Sequence, residues 1–359
     1  MLTVTDGGVH RQRVLDGLTE DEPTFAWRAD DQLVAIQSER GDRTITIRLI
    51  SVPDLQKVAE RRFDNGDFSI LHRPLAMAFN PDGSSLWVAA SSDRLRNAGT
   101  PNKITVAIEL SVPALEIVDR KEIETPAPGA IITFGAYATE LEQTPAGVRL
   151  TGLVQIYSSG AGVDTPTGAL TDIVRSFVYS VNLTSRNEIF PVFELPVDNG
   201  AHTNRIAESI YLSPDAKRLV VQMNTSPPLR TNAPRQPVDL SKDRSFDVFD
   251  PRTRQRILRF SGGAGPFDPA IDREVSRHSG FVTPDGKYFL YFAAPLDGDS
   301  QSIVSVDLAD GRAVHRLTIP PSTGLPTSPS LSPNGKRILS LARHTPLRHD
   351  SIQLYSLVE

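Results

Sequence analysis

A five-residue turn signature recurs along this chain, followed each time by an apolar run, and it constrains the fold more than any other feature. Phe79-Asn80-Pro81-Asp82-Gly83 leads to Leu86-Trp87-Val88-Ala89-Ala90, and Leu212-Ser213-Pro214-Asp215-Ala216 leads to Arg218-Leu219-Val220-Val221. Val282-Thr283-Pro284-Asp285-Gly286 precedes Tyr288-Phe289-Leu290-Tyr291-Phe292, and Leu331-Ser332-Pro333-Asn334-Gly335 precedes Arg337-Ile338-Leu339-Ser340-Leu341. A weaker copy, Trp27-Arg28-Ala29-Asp30-Asp31, stands before Leu33-Val34-Ala35-Ile36. Proline presets φ at the first turn position, and Asp or Asn followed by Gly supplies the next two. Each copy predicts two β-strands joined by a tight turn.

A second hairpin pattern follows each of the first. Leu49-Ile50-Ser51-Val52-Pro53-Asp54-Leu55 and Glu109-Leu110-Ser111-Val112-Pro113-Ala114-Leu115 share an SVPxL core. Val248-Phe249-Asp250-Pro251 leads to Ile257-Leu258, and Val306-Asp307-Leu308-Ala309-Asp310-Gly311 leads to Val314-His315-Arg316-Leu317. Two hairpins per unit of about 50 residues make a four-stranded propeller blade. No window holds a 3.6-residue amphipathic period, so almost no helix is expected. In these turns the chain resembles the TolB-like, WD40-like (PD40) β-propeller repeats, whose hallmark is an FSPDG-type turn after the innermost strand. The resemblance covers four units well and a fifth weakly. It implies a fold and no function, because the family spans scaffolds, sensors and the propeller halves of peptidases. The motif residues are structural, so the resemblance carries over no site residue.

The expected fold is therefore all-β, a β-propeller of six blades of four antiparallel strands. Six inner hairpins are counted if the degenerate stretch 131–158 is the third. That unit lacks the PDG turn and runs on through 176–183 and 188–195, which leaves a seventh blade open. The C-terminal strands run through 351–358 without an outermost strand, while the start, Val4 to Arg11, matches 306–316. Residues 9–15 are expected to fill that place, closing the ring and removing two sheet edges. The chain, 1–359, reads as one propeller domain with a Pro- and Arg-rich insertion at 224–245 in the fourth blade.

Composition narrows the partners. The net charge of −5 gives no global field to attract nucleic acid or an anionic membrane. There are no cysteines, so disulfides, thiolate metal sites and a Cys nucleophile are excluded. No stretch approaches the length of an apolar membrane span, and the first residues hold no signal-peptide apolar region. The expectation is a cytoplasmic monomer without cofactor, or an extracytoplasmic one had a leader been removed.

Blade topology places function. Strands a to d alternate in direction, so a–b and c–d turns share one face and b–c and d–a loops the other. The first set reads as tight, except 139–147 in the degenerate blade. The long segments are b–c loops (91–102, 158–172, 224–245, 343–350) and d–a loops (64–73, 197–205, 261–278). Long loops on a rigid scaffold are where binding residues gather. His72, His202, His278, His344 and His349 fall in those segments, whereas His10 and His315 occupy matching positions of outer strands. Because d–a loops deliver the chain to the central channel, His72, Arg73, His202, Arg205, Glu208, Arg277 and His278 are the candidate ligand-binding residues at its mouth.

Two chemistries stay open for that set. An Arg/His group can clamp a carboxylate or phosphate, as in a non-enzymatic interaction or ligand-binding propeller recognising a protein or a small anion. A His/Glu group can hold an axial metal, as in a small-molecule hydrolase or lactonase, although no metal-ligand spacing such as HxH or HExxH occurs. Other catalytic motifs fail. Ser158-Ser159-Gly160-Ala161-Gly162 lacks the Gly that GxSxG requires before its serine, and Pro266, not a helix, follows Ser261-Gly262-Gly263-Ala264-Gly265.

Overall fold

The signature turns are built by one repeated pair of backbone bonds. Gly83 N–H donates to the Asn80 carbonyl (2.8 Å) and Asn80 N–H to the Ser85 carbonyl (2.9 Å). The same pairing recurs at 213–218, at 283–288 and at 28–33. The fourth turn residue is left-handed in all four: φ is 70° at Gly83 and Gly286, 55° at Ala216 and 56° at Asp31. The Asp before it is a cap. Asp82, Asp215 and Asp285 each accept the backbone N–H two residues on, from Ser84, Lys217 and Lys287, and Asn334 accepts from Lys336. This explains why the signature reads Pro-Asp or Pro-Asn.

The computed structural model describes residues 9–18, 21–39, 44–52, 54–63, 74–94, 102–124, 139–157, 173–185, 188–196, 199–200, 203–213, 215–226, 244–261, 274–283, 285–294, 301–319, 325–334, 336–344 and 349–357. Strand β1 (Val9–Leu18) comes first. Blade 1 is β2 (Asp21–Trp27), β3 (Leu33–Glu39), β4 (Ile45–Ser51) and β5 (Lys57–Phe63). Blade 2 is β6 (Pro74–Phe79), β7 (Ser85–Arg94), β8 (Asn102–Ser111) and β9 (Ile117–Glu124). Blade 3 is β10 (Thr139–Thr144), β11 (Gly147–Tyr157), β12 (Ile173–Asn182) and β13 (Glu188–Leu195). The two-residue β14 (Asn199–Gly200) edges blade 4, which is β15 (Thr203–Leu212), β16 (Leu219–Ser226), β17 (Arg244–Asp250) and β18 (Gln255–Ser261). Blade 5 is β19 (Glu274–Val282), β20 (Tyr288–Ala294), β21 (Gln301–Asp307) and β22 (Ala313–Ile319). Blade 6 is β23 (Leu325–Leu331), β24 (Arg337–His344) and β25 (His349–Leu357), with β1 as its outermost strand.

The first strands form a closed ring: β2 against β6, then β10, β15, β19, β23 and back to β2. Six antiparallel sheets around one ring are a six-bladed β-propeller, and no helix occurs among the described residues. β1 pairs with β25 from Val9↔Leu357 to Leu18↔Asp350, so the closing strand is there and extends three residues past the expected end. Blade 3 corrects two expectations. The stretch left open for a seventh blade supplies β12 and β13 of this one sheet. The segment 139–147 is no long loop, because β10 pairs with β11 in regular register and only Pro145 and Ala146 turn the chain. Gly147, at φ 120°, takes the turn that a PDG would otherwise make.

Six apolar cores lie one between each pair of neighbours. Along β7 successive residues alternate between them: Leu86 and Val88 pack toward blade 1, Trp87 and Ala89 toward blade 3. Burial on both faces is why the inner strands read as continuous apolar runs. The SVPxL motif has its cause here too. Leu55 and Leu115 adopt φ 51° and 59° yet are buried, Leu55 against Leu339 and Leu354 of blade 6, Leu115 within the core between blades 1 and 2. A left-handed leucine costs about 1–2 kcal/mol. Burying its side chain returns about 1.5–3 kcal/mol, so the seam wins.

Polar staples cross the same seams. Arg61 Nη1 donates to the Leu115 carbonyl (2.8 Å), and Lys121 Nζ to that of Leu183, each joining an outermost strand to the next blade's turn. Arg337 Nη1 reaches the Asp31 carbonyl (3.1 Å) where blade 6 meets blade 1.

Candidate functional site

The strand directions divide the connections as the sequence implied. At the turn end the longest connection is 213–218. At the other end the chain runs through 64–73, 125–138, 158–172, 227–243 and 262–273 between strands. Some residues expected in loops there belong to the sheets. Ser91–Arg94 extend β7, Asn102 opens β8, and His344 pairs with His349 at the ends of β24 and β25.

The same correction applies to the candidate set. Arg205 lies within β15, opposite Thr225 of β16, and Glu208 lies further along β15. Arg277 and His278 lie within β19. Arg205, Arg277 and His278 are on innermost strands rather than in d–a loops, because the strands begin earlier than the apolar runs that announce them. β15 and β19 are neighbours in the ring, so the structure brings the four backbones onto two adjacent channel-lining strands. His72, Arg73 and His202 lie outside the described residues.

At this level the inner strands leave regular register. In β15, Ala207 pairs with Met223 and Ser209 with Gln222, which leaves Glu208 as an extra residue. In β19, Val275 pairs with Ala293 and Gly280 with Tyr291, so Ser276, Arg277, His278 and Ser279 together stand opposite Phe292. β2, β6 and β23 also shift register within their pairing, whereas β10 does not. A bulge re-aims side chains out of the pleat and is over-represented beside functional sites. Glu208, Arg277 and His278 are among the residues that these shifts leave without a ladder partner.

The sequence reading passed over Gln222, the residue of β16 next to the Glu208 bulge. It is 1% exposed, and neither Nε2 nor Oε1 has a hydrogen-bond partner among the described residues. The equivalent residues of blades 2, 5 and 6 are Ala89, Phe292 and Leu341, and that of blade 1 is Gln37.

The turn face is electrostatically occupied. The Ser84 backbone N–H holds the Asp82 carboxyl below its ordinary value, and the Arg28 side chain does the same for Asp30. For Asp215 and Asp285 burial pushes upward, but the bonds from Ser213 and Thr283 and from the following N–H outweigh it. These carboxylates are committed to turn capping. Among the described residues no three His, Asp or Glu side chains are arranged to hold a metal ion.

The fold defines the class of protein, a β-propeller. Among solved structures, one similar to it is titled "Crystal Structure of Mitotic Checkpoint Complex", at 12% identity over 98% of this chain and 93% of that one, with a TM-score of 0.49. No protein-family model and no curated protein matches the chain.

Proposed function

We propose that the protein is a non-enzymatic interaction or ligand-binding propeller whose loop-rich face, at the mouth of the channel, takes an acidic partner or a small anion. The observation that carries this reading is the one-sided distribution of its connections: every turn-end link is short, while five longer spans gather at the other end. Neutral drift in loop length has no reason to respect a face; selection for binding does. The charge of Arg205 and Arg277 supports an anion as the ligand. Arg205 and Arg277 sit on adjacent innermost strands of a protein of net charge −5, where a local positive focus draws anions. His72, Arg73 and His202 belong to this proposal as further contributors. The reading also takes the repeat as TolB-like or PD40-type and the chain as one propeller domain, supported by the turn bonds shared among blades 1, 2, 4 and 5.

The test replaces Arg205 and Arg277 together by Ala. A thermal melt of the double variant checks that folding is intact. Binding of carboxylates or phosphates, measured by calorimetry, should weaken about tenfold or more and lose part of its salt dependence. Unchanged affinity and salt dependence in the double variant, or no anion binding to the native protein, overturns the reading.

A further inference from the structure

The buried amide of Gln222 lies on the seam between the two blades that carry the placed candidates. Gln222 pairs with Phe246 of β17, and paired residues of antiparallel strands share a face. The Phe246 ring lies 5.0 Å from Phe289 and 5.3 Å from Tyr291, so that face is the one packed on blade 5. The level also matches. Counting from the last inner-strand pair, Leu212↔Leu219 in blade 4 and Val282↔Phe289 in blade 5, three residues along are Gln222 and Phe292. Phe292 is the residue opposite the β19 bulge that holds Arg277 and His278. Gln222 itself stands opposite Ser209, next to the Glu208 bulge.

The fold has another way to treat a glutamine here. Gln37 occupies the equivalent place in blade 1, and its Oε1 accepts the Thr24 hydroxyl at 3.0 Å. Gln222 has a donor and an acceptor that no described residue engages. Buried polar groups are normally paired, and an orphan amide calls for an explanation. Four residues of β19 stand outside the regular ladder at this level of the seam.

We propose that Gln222 is the uncharged recognition residue of a ligand site in the seam between blades 4 and 5, and that the ligand is a small hydroxylated carboxylate. A hydroxyl group accepts from Nε2–H and donates to Oε1, satisfying both orphan atoms, while the cation for the carboxylate is assigned to Arg277 of β19, the strand that borders this seam. The carboxylate half of this assignment rests on the anion reading above; the hydroxyl half rests on Gln222 alone.

Three four-carbon probes separate the two halves: tartrate, succinate and erythritol, titrated by ligand-observed NMR against the native protein, Gln222→Leu and the Arg205→Ala/Arg277→Ala double variant. The native protein should prefer tartrate to succinate by about tenfold. Gln222→Leu, which melts no lower than the native chain because it removes an unpaired amide, should bring that ratio to about one while succinate still binds. The double variant should lose succinate and reduce tartrate to the level of erythritol. An unchanged tartrate-to-succinate ratio in Gln222→Leu overturns the Gln222 inference and leaves the anion reading standing. Erythritol binding that needs Gln222, with no succinate binding anywhere, overturns the anion reading and keeps Gln222. Binding of none of the three overturns both.

Discussion

Replacing Arg149 by Met should be among the most damaging single changes in the ring. Arg149 lies in β11 directly opposite Glu142 of β10, is 2% exposed, and forms an ion pair with that carboxylate. Its Nη2 also donates to the carbonyls of Leu212 (3.0 Å) and Ser213 (2.8 Å), at the signature turn of blade 4. One side chain thus ties blade 3 to blade 4 and neutralises a largely buried acid. Methionine keeps most of the apolar stem but strips the carboxylate of its cation and removes the bonds to both carbonyls, of which that of Ser213 keeps the bond from the Ala216 N–H. Breaking a buried pair this way costs about 3–5 kcal/mol. Glu142 retains 28% side-chain exposure, so water relieves part of the penalty and the lower end, about 3 kcal/mol, is expected. Against a total of about 5–15 kcal/mol for a typical protein, that is a visible loss.

The pH dependence identifies the cause. Burial pushes the Glu142 carboxyl above its ordinary value, although the charge and hydrogen bonds of Arg149 pull it back. A raised folded-state pKa means stability that is fully present below the unfolded value and lost as pH rises through the folded one. Without Arg149 the carboxyl rises further. The deficit of Arg149→Met should therefore be small near pH 4 and grow toward pH 8, while adding Glu142→Gln should flatten this slope and recover part of the loss. Urea unfolding followed by the fluorescence of Trp27 and Trp87 at several pH values measures all three proteins. A deficit under about 1 kcal/mol, or one of equal size at pH 4 and 8, refutes the argument.

Other changes probe the ring and its turns. Deleting residues 1–18 removes β1 and bares the edge of β25, so the product should aggregate; a monodisperse truncation with native melting in size-exclusion and calorimetric runs contradicts closure by β1. Asp31, buried at φ 56° where blades 6 and 1 meet, has its carboxyl raised by desolvation. Asp31→Asn should add about 1 kcal/mol at pH 7, a gain that fades as pH falls and the native Asp takes up its proton; chemical denaturation at pH 4 and 7 checks it. Gly286→Val should cost about 1–2 kcal/mol through its left-handed turn, whereas Ala216→Gly, at the equivalent place with φ 55°, should leave stability unchanged or raise it by up to about 1 kcal/mol in thermal melts.

The architecture was legible wherever backbone chemistry is local. Pro-Asp-Gly turns name their own geometry, and where Asp31 and Ala216 replace the glycine the chain keeps the same left-handed turn, so even the weak copies were readable. Blade 3 was harder because its turn is Thr144-Pro145-Ala146-Gly147, which carries no capping Asp, and because β10 is a short strand of alternating acidic residues in which Leu141 is the one hydrophobic side chain. The site was legible in outline. Which blades carry Arg205, Glu208, Arg277 and His278 follows from the repeat, but their bulges do not, since a register shift is a property of two paired strands and leaves no mark in either alone. Gln222 was missed for a related reason: a lone glutamine in an apolar run reads as a tolerated polar residue until its partners are counted.

The two ends of the ring use polar residues in opposite ways, and this is the physical reason to look for binding at one end. At the turn end the acids of the signature are spent locally. Asp82, Asp215 and Asp285 cap their own turns, Asp250 caps 252 and 253, and Asp307 and Asp310 cap 309 and 312. A carboxylate already holding backbone donors offers little to a ligand, and its displacement would loosen the hairpin that positions it. Toward the other end β15 and β19 leave the regular ladder at Glu208 and at 276–279, at the level of the Gln222 amide, which has no partner among the described residues. Irregularity costs stability at every such place. Register shifts recur on β2, β6 and β23 as well; what the seam of blades 4 and 5 adds is an amide with neither atom bonded among the described residues, and the proposed ligand supplies its partner.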